Sequence, residues 1–172
     1  MRKALFRYPI GSAPRTAILI PWFRQPSAWG LRSKDPVRVF AGGWTAEVAA
    51  FSPAALVGTR EQLLSLIAGS SPTLTHASIV VSRLGELLLT TADRDRLWRA
   101  FRVPIFEQIV GPSGELLAAE CEAHDGLHWQ TLAMPQDHYA IDQTPCACGQ
   151  RTPRVSSPVA AERVRSTAAY AR

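Results

Sequence analysis

No stretch of the 172-residue chain approaches the roughly 18–20 apolar residues that a membrane span requires. Cysteine is scarce: there are three, two of them one residue apart, which excludes a disulfide framework and leaves metal binding or free thiols. No glycine-rich loop closes on a lysine, so a standard P-loop is excluded. A cleavable leader is not expected, because the basic start Met1-Arg2-Lys3 runs into Arg7, Pro9 and Arg15, which break any apolar h-region. These absences lead to the expectation of a soluble, cytoplasmic protein with no membrane partner. Hydrophobic residues make up 47% and charged residues 19%, as in a globular body, and the length suits one domain better than two.

The net charge of +5 is unevenly spread. Residues 1–40 hold eight Lys or Arg against Asp35; residues 41–149 hold six against twelve acids; residues 150–172 hold five Arg against Glu162. Basic flanks around an acidic body raise nucleic-acid contact as a weak alternative. The aromatics are not interleaved with arginine as a base-stacking surface requires, so a nucleic-acid partner is not expected.

The hydrophobic pattern alternates between strand and helix. Residues 16–20, 37–40, 54–58 and 77–82 read as strands, residues 103–106 open another that runs into the turn after Val110, and a short strand leads from that turn into Cys121. Helices are expected over 44–51, over 60–68 with Thr59 as cap and Gly69 as stop, and from Thr90 or Thr91 to about 102. The expected apolar faces are Leu63, Leu64 and Ile67 on the second helix, and Leu97, Trp98 and Phe101 on the third. Strands alternating with ten-residue helices indicate an α/β fold with a mostly parallel sheet flanked by helices. The turns after Val57, Val81 and Val110 then share the carboxyl edge, where open sheets bind ligands. From about Pro135 the periodicity fades, leaving an irregular C-terminal part and a basic tail, expected to be disordered apart from a short helix over 159–170. The expected division is a basic N-terminal segment with one short strand (1–36), the α/β subdomain (37–155) and the tail (156–172).

Two local patterns carry chemistry. The glycine-rich turn at 111–115 suits an anion or nucleotide, and the order of motifs sets it next to a metal site. Cys121 and His124 form a Cys-x-x-His, and Cys146 and Cys148 a Cys-x-Cys, together enough for a tetrahedral Cys₃His zinc site. His128 is a spare ligand or a partner of Asp125. The alternative is that Cys121 is only a small buried hydrophobe. No base and orienting acid accompany the sulfurs, so a catalytic thiol is not expected. His76 reads as a satisfied histidine at a strand entry, His138 as solvated, and Trp22 and Trp29 as cover for apolar surface.

Several segments, in order, resemble the adenylate-forming (AMP-binding) ligases of the phenylacetate–CoA ligase and CapK-like branch. They are residues 51–59 (FSPAALVGT), 82–86 (SRLGE), 103–106 (VPIF), 118–128 (AAECEAHDGLH) and 146–154 (CACGQRTPR). The resemblance implies a subdomain of a ligase large domain, ATP-dependent activation of a carboxylic acid to an acyl adenylate, and in many members transfer to coenzyme A. It assigns the adenine slot to Gly85 and Glu86. Phosphate and Mg²⁺ go to the family's Tyr-Gly-x-Thr-Glu turn, here Val110-Gly111-Pro112-Ser113-Gly114 with Glu115 one place late. ATP or AMP with Mg²⁺ would then touch Gly85, Glu86, Gly111, Ser113 and Glu115, with Glu115 as the metal-binding carboxylate. Val110 lacks the stacking ring, a loss of about 1–3 kcal/mol in base binding.

The family's phosphate loop has no counterpart here, and its lysine-bearing C-terminal domain would begin after residue 155. The expectation is a truncated, partly degraded ligase-like protein with little activity as an isolated chain, paired with a protein partner that supplies the missing ligase domains. The competing expectation is a non-catalytic, zinc-stabilised interaction module, marked by an uncovered apolar face on residues 1–50.

Overall fold

A computed structural model describes residues 6–23, 36–69, 71–131 and 139–156. Among them nine strands form one sheet in the order β2-β1-β3-β4-β5-β6-β7-β9-β8. The strands are β1 Thr16–Ile18, β2 Val37–Val39, β3 Ala55–Gly58, β4 Ala77–Arg83, β5 Ile105–Val110, β6 Leu116–Glu120, β7 Leu127–Trp129, β8 Ala140–Asp142 and β9 Arg154–Ser156. β1 to β5 pair in parallel, and every pairing from β5 to β8 is antiparallel. The α/β expectation holds. β1, though drawn from the basic N-terminal stretch, lies inside the sheet between β2 and β3.

Three helices, α1 Ala46–Phe51, α2 Arg60–Gly69 and α3 Thr91–Phe101, connect the parallel strands. Local chemistry sets their ends. Gln62 Oε1 accepts from Thr59 N–H at 2.9 Å while Thr59 Oγ1 accepts from Gln62 N–H at 3.2 Å, a reciprocal capping box for α2. Thr90 Oγ1 accepts from Asp93 N–H at 3.1 Å and caps α3. The buried Asp93 carboxylate also pairs with Arg60 at 2.6 Å, joining α2 to α3.

One sheet face packs Leu56, Val80 and Ile105 against Val48, Leu63, Leu66, Leu97 and Phe101 of the helices. The other packs Val57, Ile79, Val81 and Phe106 against Phe6, Tyr8, Ile10, Trp22 and Phe23 of the N-terminal stretch. The large exposed apolar side chains among the described residues are Leu84, Leu87 and Trp98. The uncovered apolar face expected on residues 1–50 is therefore absent from the described part of that stretch. His76 Nδ1 lies 2.5 Å from Tyr8 Oη, a pairing between loop and N-terminal stretch.

Three expectations about elements need correction. Trp98 is 50% exposed, with the Arg102 guanidinium 5.3 Å from its ring, because, of its large apolar side chains, α3 turns only Leu97 and Phe101 fully inward. α2 buries Leu63 and Leu66, while Leu64 and Ile67 are only partly covered. The part after Pro135 is not wholly irregular: β8 and β9 lie there and complete the sheet edge. Their strands are three residues long, too short to show a period. Trp29, His138 and residues 157–172, with the helix expected over 159–170, lie outside the described residues. No helix among the described residues is long and apolar enough to cross a membrane.

Candidate metal centre

Three segments converge on one point. β6 ends at Glu120, and Cys121 opens the return loop to β7. In that loop His124 N–H donates to Cys121 O at 3.0 Å, and His124 and Gly126 have φ of 51° and 79°. Gly126 is required twice over, since an added Cβ would also stand 3.1 Å from Val155 O. In β7, Leu127 and Trp129 point into the core shared with Ile109 and Val155, so His128 between them projects to the opposite face. The third segment is the turn from Cys146 to Gly149, closed by Gly149 N–H on Cys146 O at 2.9 Å, with Gly149 at φ 83°.

The donor atoms of Cys121, His128, Cys146 and Cys148 all lie within 4.8 Å of one another. Cys121 Sγ and Cys146 Sγ are 3.7 Å apart, and Cys148 Sγ is 3.3 Å from His128 Nε2. A disulfide would need about 2.05 Å between sulfurs. A tetrahedral zinc, with Zn–S about 2.3 Å and Zn–N about 2.0–2.1 Å, spaces its donors about 3.5–3.8 Å apart. The four donors therefore fit one zinc ion with little movement. Zinc would serve here as a closed, structural ion, since four protein donors leave no open position.

The surroundings suit these ligands. Thr152 Oγ1 sits 2.9 Å from His128 Nδ1, which leaves Nε2 for the metal. Burial pulls the His128 pKa down, so the neutral imidazole that a metal needs is favoured. Burial pushes the Cys121 thiol up to about 11, with the Ala123 N–H acting against it. The Cys148 backbone N–H, pointing at Cys146 Sγ, is the largest influence holding that thiol below its ordinary value. The buried Arg154 braces the loops: it donates to Asp125 O at 2.8 Å and Thr144 Oγ1 at 2.8 Å, and it pairs with the Asp125 and Asp142 carboxylates.

The histidine expected from the Cys-x-x-His spacing is not part of this cluster. The left-handed turn at His124 swings its ring onto Phe106, with centroids 4.6 Å apart, and sets Nδ1 3.2 Å from Glu120 Oε1. His128 takes its place. The alternation Leu127-His128-Trp129, one polar residue between two apolar ones in a strand, was the signal for it. Replacing His128 with alanine is expected to lower zinc affinity at least about tenfold. His124→Ala should leave affinity within about twofold, and competition with a chromogenic chelator measures both.

The expected shared edge forms, but away from the metal cluster. β3, β4 and β5 are parallel neighbours, so the turns following them do share the carboxyl edge. Glu115 and Cys121 flank β6 at opposite ends, six residues or roughly 20 Å apart at strand rise, so cradle and metal cluster are not adjacent. Groups on the carboxyl edge are engaged with one another. Gly85 N–H donates to Tyr139 Oη at 2.9 Å, Arg83 N–H to Glu86 Oε2 at 2.7 Å, and Ser113 N–H to Glu115 Oε2 at 3.1 Å. The Glu115 carboxylate lies over Gly111, in the space that an added Cβ would take. Residues 111–115 close the β5–β6 hairpin, with Gly114 at φ 80° and its N–H on Gly111 O at 2.9 Å.

A buried polar seam beneath the helices was not anticipated. Glu107 Oε1 accepts from Ser82 Oγ and from Leu89 N–H, both at 2.9 Å. Glu120 Oε2 accepts from Glu107 N–H at 2.9 Å, and its carboxylate is paired with Arg94 at 3.1 Å. Desolvation raises the Glu107 pKa to about 7. Charged residues inside an apolar strand run gave no hint in sequence of which partners would satisfy them.

The fold is thus an α/β sheet, parallel at one end and antiparallel at the other, of the kind found in adenylate-forming CoA ligases. A crystal structure of an open conformation of 2-hydroxyisobutyryl-CoA ligase, in complex with 2-HIB-AMP and CoA, matches it with a TM-score of 0.59 and 14% identity. The match covers 86% of this chain and 45% of the ligase, so the chain corresponds to less than half of that enzyme. No family model matches the sequence, and no curated protein matches it.

Proposed function

We propose that this chain is a zinc-bound scaffold on the ligase fold, in which the metal fastens the antiparallel end of the sheet and the carboxyl edge does not activate acids alone. The Cys₃His cluster at tetrahedral spacing carries this reading. The carboxyl edge supports it: of the groups that the resemblance assigns to nucleotide and Mg²⁺, Gly85 N–H is held by Tyr139, the Glu86 carboxylate by Arg83 N–H, and Ser113 N–H by Glu115. Val110 is buried among apolar side chains and offers no stacking face.

Calorimetric titration with ATP and AMP in the presence of Mg²⁺, with zinc quantified on the same sample, tests the reading. One zinc per chain and no saturable binding at millimolar nucleotide is the expected result. The second reading is a working subunit of a split ligase that forms an acyl adenylate or acyl-CoA. It draws on the three turns gathered at one edge. Micromolar nucleotide binding, lost in Glu115→Ala, would establish it and displace the first.

A further inference from the structure

The three sulfurs differ in access. Cys148 is exposed, Cys121 is half-buried and Cys146 is buried. They also belong to two separate loops, one after β6 and one between β8 and β9, that touch through their sulfurs. Zinc holds such sulfurs as thiolates, the form that reacts with peroxides. An oxidant arriving from solvent meets Cys148 first.

We propose that the cluster is a peroxide-responsive switch, in which oxidation starting at Cys148 expels zinc and replaces it with a covalent strap between the two loops. The proposal rests on the zinc reading above. In the first step the Cys148 thiolate attacks a peroxide oxygen. The O–O bond breaks, the sulfur becomes a sulfenic acid, and hydroxide (or alkoxide, from an organic peroxide) leaves. In the second step the Cys121 thiolate attacks the Cys148 sulfur, forms the S–S bond and displaces the hydroxyl as hydroxide. Two thiolates lose two electrons to one peroxide, and two protons from solvent convert the leaving groups to water. Zinc, left with one thiolate and one imidazole, dissociates.

Cys121 is the resolving group for a steric reason. A bridge from Cys148 to Cys146 would close over a single intervening residue, against the preferred disulfide geometry. Cys121 approaches from the other loop, with its sulfur within 4.8 Å of the Cys148 sulfur. The new bond would join the same two loops that the metal joined, so the β7–β9 edge keeps a fastening after zinc leaves. The affected device is the metal itself and the His128 imidazole it frees.

The test uses the purified zinc-loaded chain and hydrogen peroxide. Zinc release is followed with a chromogenic chelator, and peptide mass mapping after alkylation locates the bonds. About one zinc should be released per peroxide consumed, with an intramolecular Cys121–Cys148 linkage and Cys146 left alkylatable, and thiol reductant plus zinc should restore the starting spectrum. Cys148→Ser should slow release at least about tenfold. If that variant binds no zinc, the mapping on the unaltered chain decides alone. Zinc retained under excess peroxide, or release with Cys121 still alkylatable, overturns the switch and leaves the metal site standing. A reduced chain that carries no zinc overturns the metal reading, and the switch with it.

Discussion

Removal of zinc with a chelator, or Cys146→Ala, is expected to lower the thermal midpoint by roughly 8–16 °C. An ion at about a thousand times its dissociation constant stabilises the folded state by about 4 kcal/mol, and each kcal/mol moves the midpoint of a chain this size by about 2–4 °C. The loss should be local before it is global. β7, β8 and β9 have three residues each and few ladder bonds, whereas β4 and β5 pair over six positions and are buried on both faces. Amide exchange should therefore accelerate in β7–β9 on chelation while β3–β5 stay protected. Calorimetry and exchange mass spectrometry with and without chelator read both effects. An unchanged midpoint would mean that the cluster holds no structural metal.

The second large effect concerns the buried carboxyl of Glu107. Its folded pKa of about 7 exceeds the value in an unfolded chain, so the folded state binds the extra proton between about pH 4.5 and 7. Stability from this group is fully present below the unfolded pKa and is lost as pH rises through about 7. The facing groups are Ser82 and the Leu89 N–H, which favour the carboxylate, Arg94, which also favours it, and Glu120, which opposes it. Burial outweighs them. Glu107→Gln keeps an acceptor for Ser82 and Leu89 and carries no charge. It should be more stable than the parent by on the order of 2–3 kcal/mol at pH 8 and nearly equal to it at pH 5. Denaturant titrations at the two pH values measure this. Equal destabilisation at both would show that the carboxylate, not the acid, is the form the seam holds.

The parallel half of the fold was legible because burial on both faces leaves continuous apolar runs, and because Thr59 and Thr90 mark their helices with side chains suited to capping. β5 ends at Val110, where the turn was expected. Glu107 and Gln108 interrupt the run, yet both are buried, one by Ser82 and Leu89, the other by Arg7. At the antiparallel end only β6, the short strand leading into Cys121, was legible; β7, β8 and β9 have three residues each, carry no period and depend on a cluster of donors far apart in sequence. The three cysteines were legible from their spacing. The histidine was legible only as a spare: the Cys-x-x-His spacing favoured His124, whereas His128 arrives on a strand across from Ala119. Likewise the turn at 111–115 reads as a cradle in one dimension, and only the placement of the Glu115 carboxylate over Gly111 shows it to be a closed hairpin.

X-ray absorption at the zinc edge on the purified chain tests the central claim most directly. The account requires one zinc per chain with three sulfur neighbours at about 2.3 Å and one nitrogen at about 2.0–2.1 Å, the nitrogen signal being lost in His128→Ala and kept in His124→Ala. A metal-free chain, or a first shell dominated by oxygen, would contradict it.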